Sequence, residues 1–251
     1  MEHITICIPV HTPALDRAGA MLTAQSFSIV SEPGPEVTHL LLPVPSFAAS
    51  GLIRDGGDLN AILERLPRDV VVVGGNLDHP VLQNYWKCDL LEDPDYLWKN
   101  AVITAHCALR YILNALPATV QVQPVLILGW GRIGKSLAGL LRSLGADVTV
   151  SARKTEDRAI IRAAGYHAVN CQDPGFDPQR YRVIVNTVPA PILDARNCSP
   201  GSYLLDLASR QGIAGENVVW ARGLPGKDTP ESSGNLIAET VHHLISKEAS
   251  L

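Results

Sequence analysis

The sequence predicts an α/β fold: a doubly wound parallel-sheet domain preceded by a smaller α/β domain. Apolar runs of strand length, such as Val70-Val71-Val72-Val73 and Val125-Leu126-Ile127-Leu128, are unbroken, as in strands covered on both faces of a parallel sheet. Segments with apolar residues every three or four positions alternate with these runs, the pattern of helices packed on a sheet. A glycine-rich turn, Gly129-Trp130-Gly131-Arg132-Ile133-Gly134, joins one such strand directly to one such helix.

Residues 3–10 alternate weakly and read as a first strand, leading into His11-Thr12-Pro13 with no glycine turn. Leu15, Ala18, Met21 and Leu22 share one face of a helix over residues 14–25. Two prolines and a glycine make residues 31–36 a loop. Thr38-His39-Leu40-Leu41-Leu42-Pro43 is the next strand, and its end carries Ser46 to the edge where open α/β sheets place ligands. A helix over residues 59–66 and a buried strand over 70–75 follow, with 88–91 and 101–103 as weaker strand candidates. A helix over residues 98–116 carries Ile103, Cys107, Tyr111 and Leu113 up to Pro117. The polar, β-branched segment 118–124 then marks a junction. The expected division is residues 1–117, 118–228 and 229–251, the last a helix that packs back towards the first domain.

The glycine turn has a specific reading. Gly129 allows the tight turn, Gly131 lets the backbone approach a pyrophosphate, and Gly134 lets helix pack closely on strand. Arg132 and Ile133 open the helix, whose free N–H groups and partial positive charge suit phosphates. Ile133, Leu137, Leu140, Leu141 and Leu144 form its apolar face, Gly145 ends it, and residues 147–151 make the next strand. Strand, glycine turn, helix and strand within about thirty residues is the context a dinucleotide-binding Rossmann unit requires. NAD-binding units usually place an acid about 20 residues on. Here Ser151 closes that strand, followed by Ala152, Arg153 and Lys154. A hydroxyl and two cations suit a 2′-phosphate, and one well-aimed arginine is worth about tenfold. The expected cofactor is NADP, with NAD as the alternative if Arg153 and Lys154 are solvated loop charges.

A helix over residues 156–164 is ended by Gly165. Residues 181–189 form a buried strand running into Asn186-Thr187-Val188-Pro189 at the cofactor edge. Tyr203-Leu204-Leu205-Asp206-Leu207 repeats that pattern and delivers Ala208, Ser209 and Arg210 to the same edge. Residues 217–221 are the last strand, Gly223-Leu224-Pro225-Gly226 a turn carrying Lys227, and residues 231–247 the final helix.

Composition excludes several classes. The 251 residues carry 21 basic and 25 acidic side chains, a net charge of −4, so neither nucleic acid nor an anionic membrane is an expected partner. No apolar run approaches a membrane span, and the first ten residues lack the basic region and cleavage site of a signal peptide. Five cysteines, odd in number and without a CxxC pair, point to reduced thiols in a cytoplasm and to no metal site.

Taken together, GWGRIG, NTVP at 186–189, LDLASR at 205–210 and GLPGK at 223–227 resemble the dipicolinate synthase A-subunit family. LLPVPSF at 41–47, NAVITAHCAL at 100–109 and SSGNLIAETV at 232–241 extend the resemblance over most of the chain. It implies a two-domain fold like that of D-2-hydroxyacid dehydrogenases. It also implies NAD(P)-dependent formation of pyridine-2,6-dicarboxylate from a cyclic imine dicarboxylate, in the mother cell of a spore-forming bacterium, beside a flavoprotein-like B-subunit of dipicolinate synthase. A homo-oligomer is expected. The chain departs from the family at Thr104-Ala105-His106-Cys107, where the family has Thr-Ala-Glu-Gly, and at Pro9-Val10-His11-Thr12, where the family has a glycine turn.

Roles follow from that reading. Arg210 is the first choice for a bidentate carboxylate contact, with Lys227 as second cation and the backbone of residues 223–226 facing the substrate. Ser209 joins them, while Ser46 and Thr104 would approach from the opposite side. Asn186, Thr187, Val188, Pro189, Leu207 and Ala208 would line the cofactor. His106 is the candidate base for the ring proton. Each also fits a plainer role: a surface arginine, a simple turn, a helix histidine satisfied by a neighbour. Two other functions stay open. One is a scaffold that binds NADP without chemistry. The other is a dehydrogenase for another small carboxylate, although RGLPGKDTP at 222–230 lacks the histidine that 2-hydroxy acid oxidation needs there.

Overall fold

The computed structural model describes residues 4–248. In chain order it contains β1 (Thr5–Cys7), α1 (Pro13–Ala24), β2 (Ser28–Val30), β3 (His39–Leu41), α2 (Leu59–Leu63), β4 (Val71–Gly74), β5 (Trp86–Asp89) and α3 (Pro94–Ala115). There follow β6 (Pro124–Leu128), α4 (Arg132–Ser143), β7 (Asp147–Ser151), α5 (Thr155–Ala163), β8 (His167–Val169), β9 (Val183–Asn186) and β10 (Leu193–Asp194). The chain closes with β11 (Tyr203–Asp206), β12 (Ile213–Ala214), β13 (Val218–Trp220), α6 (Leu224–Asp228) and α7 (Pro230–Glu248). Residue 3 of the expected first strand and residues 249–251 lie outside the described residues.

Two compact units divide the chain. One holds the residues up to Asn100 together with those from Pro225 on; the other is Ala101–Leu224. The chain passes between them inside α3 and again at α6.

In the first unit all strand pairs are parallel, in the order β2-β1-β3-β4-β5. Ile6, Leu40, Leu41 and Val72 are fully buried, as unbroken apolar strands require. Thr12 caps α1 by accepting from the Leu15 N–H at 3.2 Å, with Pro13 in the first turn. The last helix, α7, packs against α1. Arg17 Nε donates to Asn235 Oδ1 at 2.7 Å, and Phe27 meets His242 edge-on at 5.7 Å. The closest approach is at Gly234, where an added Cβ would collide with the Ala14 carbonyl and lie 2.6 Å from Arg17 Cβ.

The second unit is a six-stranded parallel sheet in the order β13-β11-β9-β6-β7-β8, the doubly wound arrangement. One face packs Val125, Ile127, Val183 and Val185 with Leu137 and Leu141 of α4 and with Ala108 and Ile112 of α3. The other buries Leu126, Leu128, Ile184 and Leu204.

Several expectations are corrected. Residues 101–103 belong to α3, which begins at Pro94 because Asp93 Oδ1 accepts from the Tyr96 N–H at 2.7 Å. The 223–226 turn is replaced by a positive-φ Gly223 (φ 67°) followed by the helical turn α6. Strands β2, β8, β10 and β12 have two or three residues each, too short for periodicity to reveal.

Gly234→Val should lower stability by about 2 kcal/mol, because the side chain must push α7 off α1. Urea denaturation of the variant measures it. An unshifted midpoint would show that the helices have room at that crossing.

Candidate functional site

Because the second sheet is parallel, every strand ends on one edge. The register sets Ser151, Leu128, Asn186 and Asp206 side by side as the last residues of β7, β6, β9 and β11. Strand order reverses between β6 and β9, which opens the crevice where such sheets take ligands. The glycine turn sits at that point. Gly129 has φ 106°, and a Cβ there would fall 2.6 Å from Thr187 Oγ1 and 2.8 Å from Val188 Cγ2. At Gly134 a Cβ would strike the Gly129 carbonyl. At Gly131 it would meet nothing within 4 Å. The turn is therefore closed by protein at its first and third glycines and open at its second. Helix α4 starts at that opening with no side-chain cap, leaving its first N–H groups for another acceptor.

A cavity of about 320 Å³ adjoins the turn. Its lining includes Trp130, Gly131, Ser151, Arg153, Lys154, Asp157 and Cys171, together with Val188, Ala190, Pro191 and Ile192. The indole of Trp130 stands edge-on to Tyr166 at 5.8 Å, with the Lys135 ammonium 5.7 Å from its ring centre. Arg153 and Lys154 are exposed. Ser151 is buried, and its hydroxyl accepts from the Cys171 N–H at 3.1 Å. This serine thus holds the chain after β8 in place while it also lines the cavity. Sequence reasoning overlooks Asp157, which brings a carboxylate to the cavity from the first turn of α5. A second hollow of about 510 Å³ shares Cys171, Pro191 and Ile192 with the first and reaches Phe176, Asp194 and Asn197. Arg196 grips Asp194 there through two nitrogens, and that hydrogen bonding holds the carboxyl at about 2. Burial, and then the Asp194 charge, push the nearby Cys198 thiol up to about 11.

The wall after β9 is built on a residue to which the sequence reading assigns no role. Asp206 is completely buried. Its Oδ1 accepts from Asn186 Nδ2 at 3.0 Å and from the Ala208 N–H at 3.0 Å. Its Oδ2 accepts from the Gly212 N–H at 2.7 Å and the Ile213 N–H at 2.9 Å. Asn186 also donates to the Val188 carbonyl at 3.0 Å and accepts from the Val188 N–H at 2.9 Å. The Asn186 amide is therefore spent on shaping the turn, and Thr187 Oγ1 donates to the Leu128 carbonyl at 2.9 Å. These two residues frame the cavity rather than offer it free polar atoms. Val188 lines the cavity directly, and Pro189 is exposed beside it.

The remaining expected residues divide clearly. Ser209 and Arg210 are exposed on the loop after β11, and Arg210 makes no hydrogen bond or ion pair with another described residue. Leu207 and Ala208 are buried; Leu207 lies in the core, and the Ala208 carbonyl accepts from Trp220 Nε1 at 2.9 Å. Packing accounts for the burial of both. Ser46 is 0% exposed; its hydroxyl donates to the Pro43 carbonyl at 2.8 Å and accepts from the Gly75 N–H at 3.0 Å. That removes Ser46 as a substrate contact. Thr104 is buried within α3, and His106 lies on that helix's exposed side, lining neither hollow described above. Leu224 is buried, and Pro225 has no N–H to offer a substrate. Gly223, Gly226 and Lys227 are exposed.

No protein-family model matches the chain. In sequence it is 24% identical over 238 residues to the dipicolinate synthase A-subunit of Bacillus subtilis (strain 168), covering 86% of this chain and 80% of that protein. The crystal structure of that synthase's A-subunit from Bacillus subtilis superposes with a TM-score of 0.84 at 22% identity, over 100% of this chain and 99% of that one. The A-subunit from Bacillus halodurans gives 0.83 at 21%, over 96% and 97%. The transhydrogenase from Sinorhizobium meliloti shares the fold at 12% identity, with a TM-score of 0.73 over 97% and 94%. Two parallel α/β sheets in this order, a glycine turn opening at the switch point and the sequence match lead to one statement of kinship: the chain is a homologue of the dipicolinate synthase A-subunit.

Proposed function

We propose that the protein is an oxidoreductase that binds NADP, in preference to NAD, on the Ala101–Leu224 unit, and oxidises a cyclic imine dicarboxylate to pyridine-2,6-dicarboxylate. The observation that carries this reading is the glycine turn, closed at Gly129 and Gly134 and open at Gly131, beside a cavity edged by two exposed cations. The open glycine and the uncapped start of α4 suit a pyrophosphate. Arg153 and Lys154 suit a further phosphate on the ribose, with Asp157 the single carboxylate among the residues that line the cavity. A bound nicotinamide supplies the hydride acceptor.

The substrate ring gives up one hydride and one proton, and water as well if it is hydroxylated. Aromatisation favours the products, so the residues chiefly position the ring and receive the proton. Arg210 has a free guanidinium on the edge where β11 ends and takes one carboxylate through two parallel N–H bonds. Lys227 is the second cation, and His106 the proton acceptor. By kinship the flavoprotein-like B-subunit of dipicolinate synthase is the partner. One observation favours a second reading, a nucleotide-binding scaffold without chemistry: His106 stands on the exposed side of α3 and lines neither hollow.

Calorimetric titration should give NADPH binding about tenfold tighter than NADH. No association of either at millimolar concentration would end the dinucleotide reading. Arg210→Met should raise the KM for the dicarboxylate about tenfold or more while NADPH affinity stays put; an unchanged KM removes Arg210 from the substrate site. His106→Gln should slow turnover about a hundredfold if the imidazole takes the proton. Full activity in that variant dismisses the base, and no turnover in the wild type, with or without the flavoprotein-like partner, leaves the scaffold.

A further inference from the structure

The turn that bears Arg153 and Lys154 is held by an arginine outside the dinucleotide fingerprint. Arg158 lies one helical turn into α5, its N–H bonded to the Lys154 carbonyl at 3.1 Å. Its side chain folds back towards the helix start, the direction helical side chains lean. Nη1 donates to the Ala152 carbonyl at 2.8 Å and to the Arg153 carbonyl at 2.5 Å, and Nη2 donates to Thr155 Oγ1 at 3.0 Å. No carboxylate pairs with it among the described residues. A cation over the first turn of a helix opposes the helix dipole, so its place there needs a compensating gain. Three bonds to one turn provide it.

Resting on the NADP reading above, we infer that Arg158 is a positioning residue: by clamping the 152–155 turn it presents Arg153 and Lys154 to the ribose phosphate and so sets the preference for NADP. Arg158 is not among the residues that line the cavity, so it acts through its two neighbours. The clamp needs a planar fork that reaches two carbonyls and a hydroxyl at once; a lysine supplies the charge but not that geometry.

The test measures NADPH and NADH dissociation constants for the full chain as wild type, Arg158→Met and Arg158→Lys. In both variants NADPH binding should weaken about tenfold or more, while NADH binding stays within about threefold. Retained NADH binding also reports that the unit is folded. If Arg158→Met fails to fold by circular dichroism, Arg158→Lys decides alone. Equal weakening of both nucleotides overturns the inference, because Arg158 would then be general support. A full NADPH preference in Arg158→Lys also overturns it, because charge alone would suffice. A wild type that binds the two nucleotides equally, or binds neither, refutes the NADP reading itself, and the inference falls with it.

Discussion

Burying a carboxylate without a cation costs several kcal/mol in desolvation, yet Asp206 is fully buried with no basic side chain among its hydrogen-bond partners. Four N–H donors converge on its two oxygens, and bonds to a charged acceptor contribute about 1.5–3 kcal/mol each. That sum offsets the penalty, and a shift of the loop that broke one of the four would leave a buried oxygen short of a donor. Three donors are backbone groups of the segment after β11. The fourth is the Asn186 amide at the end of β9. The carboxylate therefore ties the exits of two neighbouring strands into one piece. The short parallel pair β10–β12 follows from the same knot, because Ile192 N–H reaches the Gly212 carbonyl at 2.8 Å.

The knot reaches the glycine turn through contiguous contacts. Asn186 shapes the backbone at Val188, and Val188 with Thr187 occupies the space a side chain at Gly129 would need. Gly212 is equally constrained: a Cβ there would press on the Ala190 carbonyl and the Asn186 amide. Part of the cavity's lining is thus set by a buried network, and another part by bonds that Arg158 donates and the Ser151 hydroxyl accepts. Walls fixed before a ligand arrives lower the ordering cost of binding it.

What the sequence reveals tracks how local each signal is. Strand β6 and helix α4 are legible nearly to the residue, because an unbroken apolar run, a period of 3.6 and a terminal glycine are all contained in their own segments. The two-residue strands are hidden, since nothing in Leu193-Asp194 or Ile213-Ala214 marks pairing across twenty residues. Individual roles are hidden for a related reason. Ser46 and Asn186 carry polar groups beyond or at strand ends, which reads as availability to a ligand, but each is spent on groups brought near by the fold. Asp206 stands inside a recognisable motif and still gives no sign of its task, because its partners lie up to twenty residues away. For Arg210 and Lys154 the sequence reveals the placement alone, an exposed cation on a loop.

The two units contain the same first step, a parallel strand leading into a helix, and differ in how that helix begins. In the first unit Thr12 Oγ1 accepts from the Leu15 N–H and Pro13 has no N–H at all, so the start of α1 is largely satisfied from within. In the second unit Gly131 stands at the corresponding cap with no side chain to offer, and the start of α4 has no side-chain cap. A cap closed by Thr-Pro has little left for an anion; one left bare by glycine keeps both its donors and its partial positive charge. Two residues at a helix start thus separate a βα step whose helix is capped by its own threonine from one whose helix has no side-chain cap. The departure from a glycine turn at Pro9-Val10-His11-Thr12 is the chemical form of that separation in the first unit.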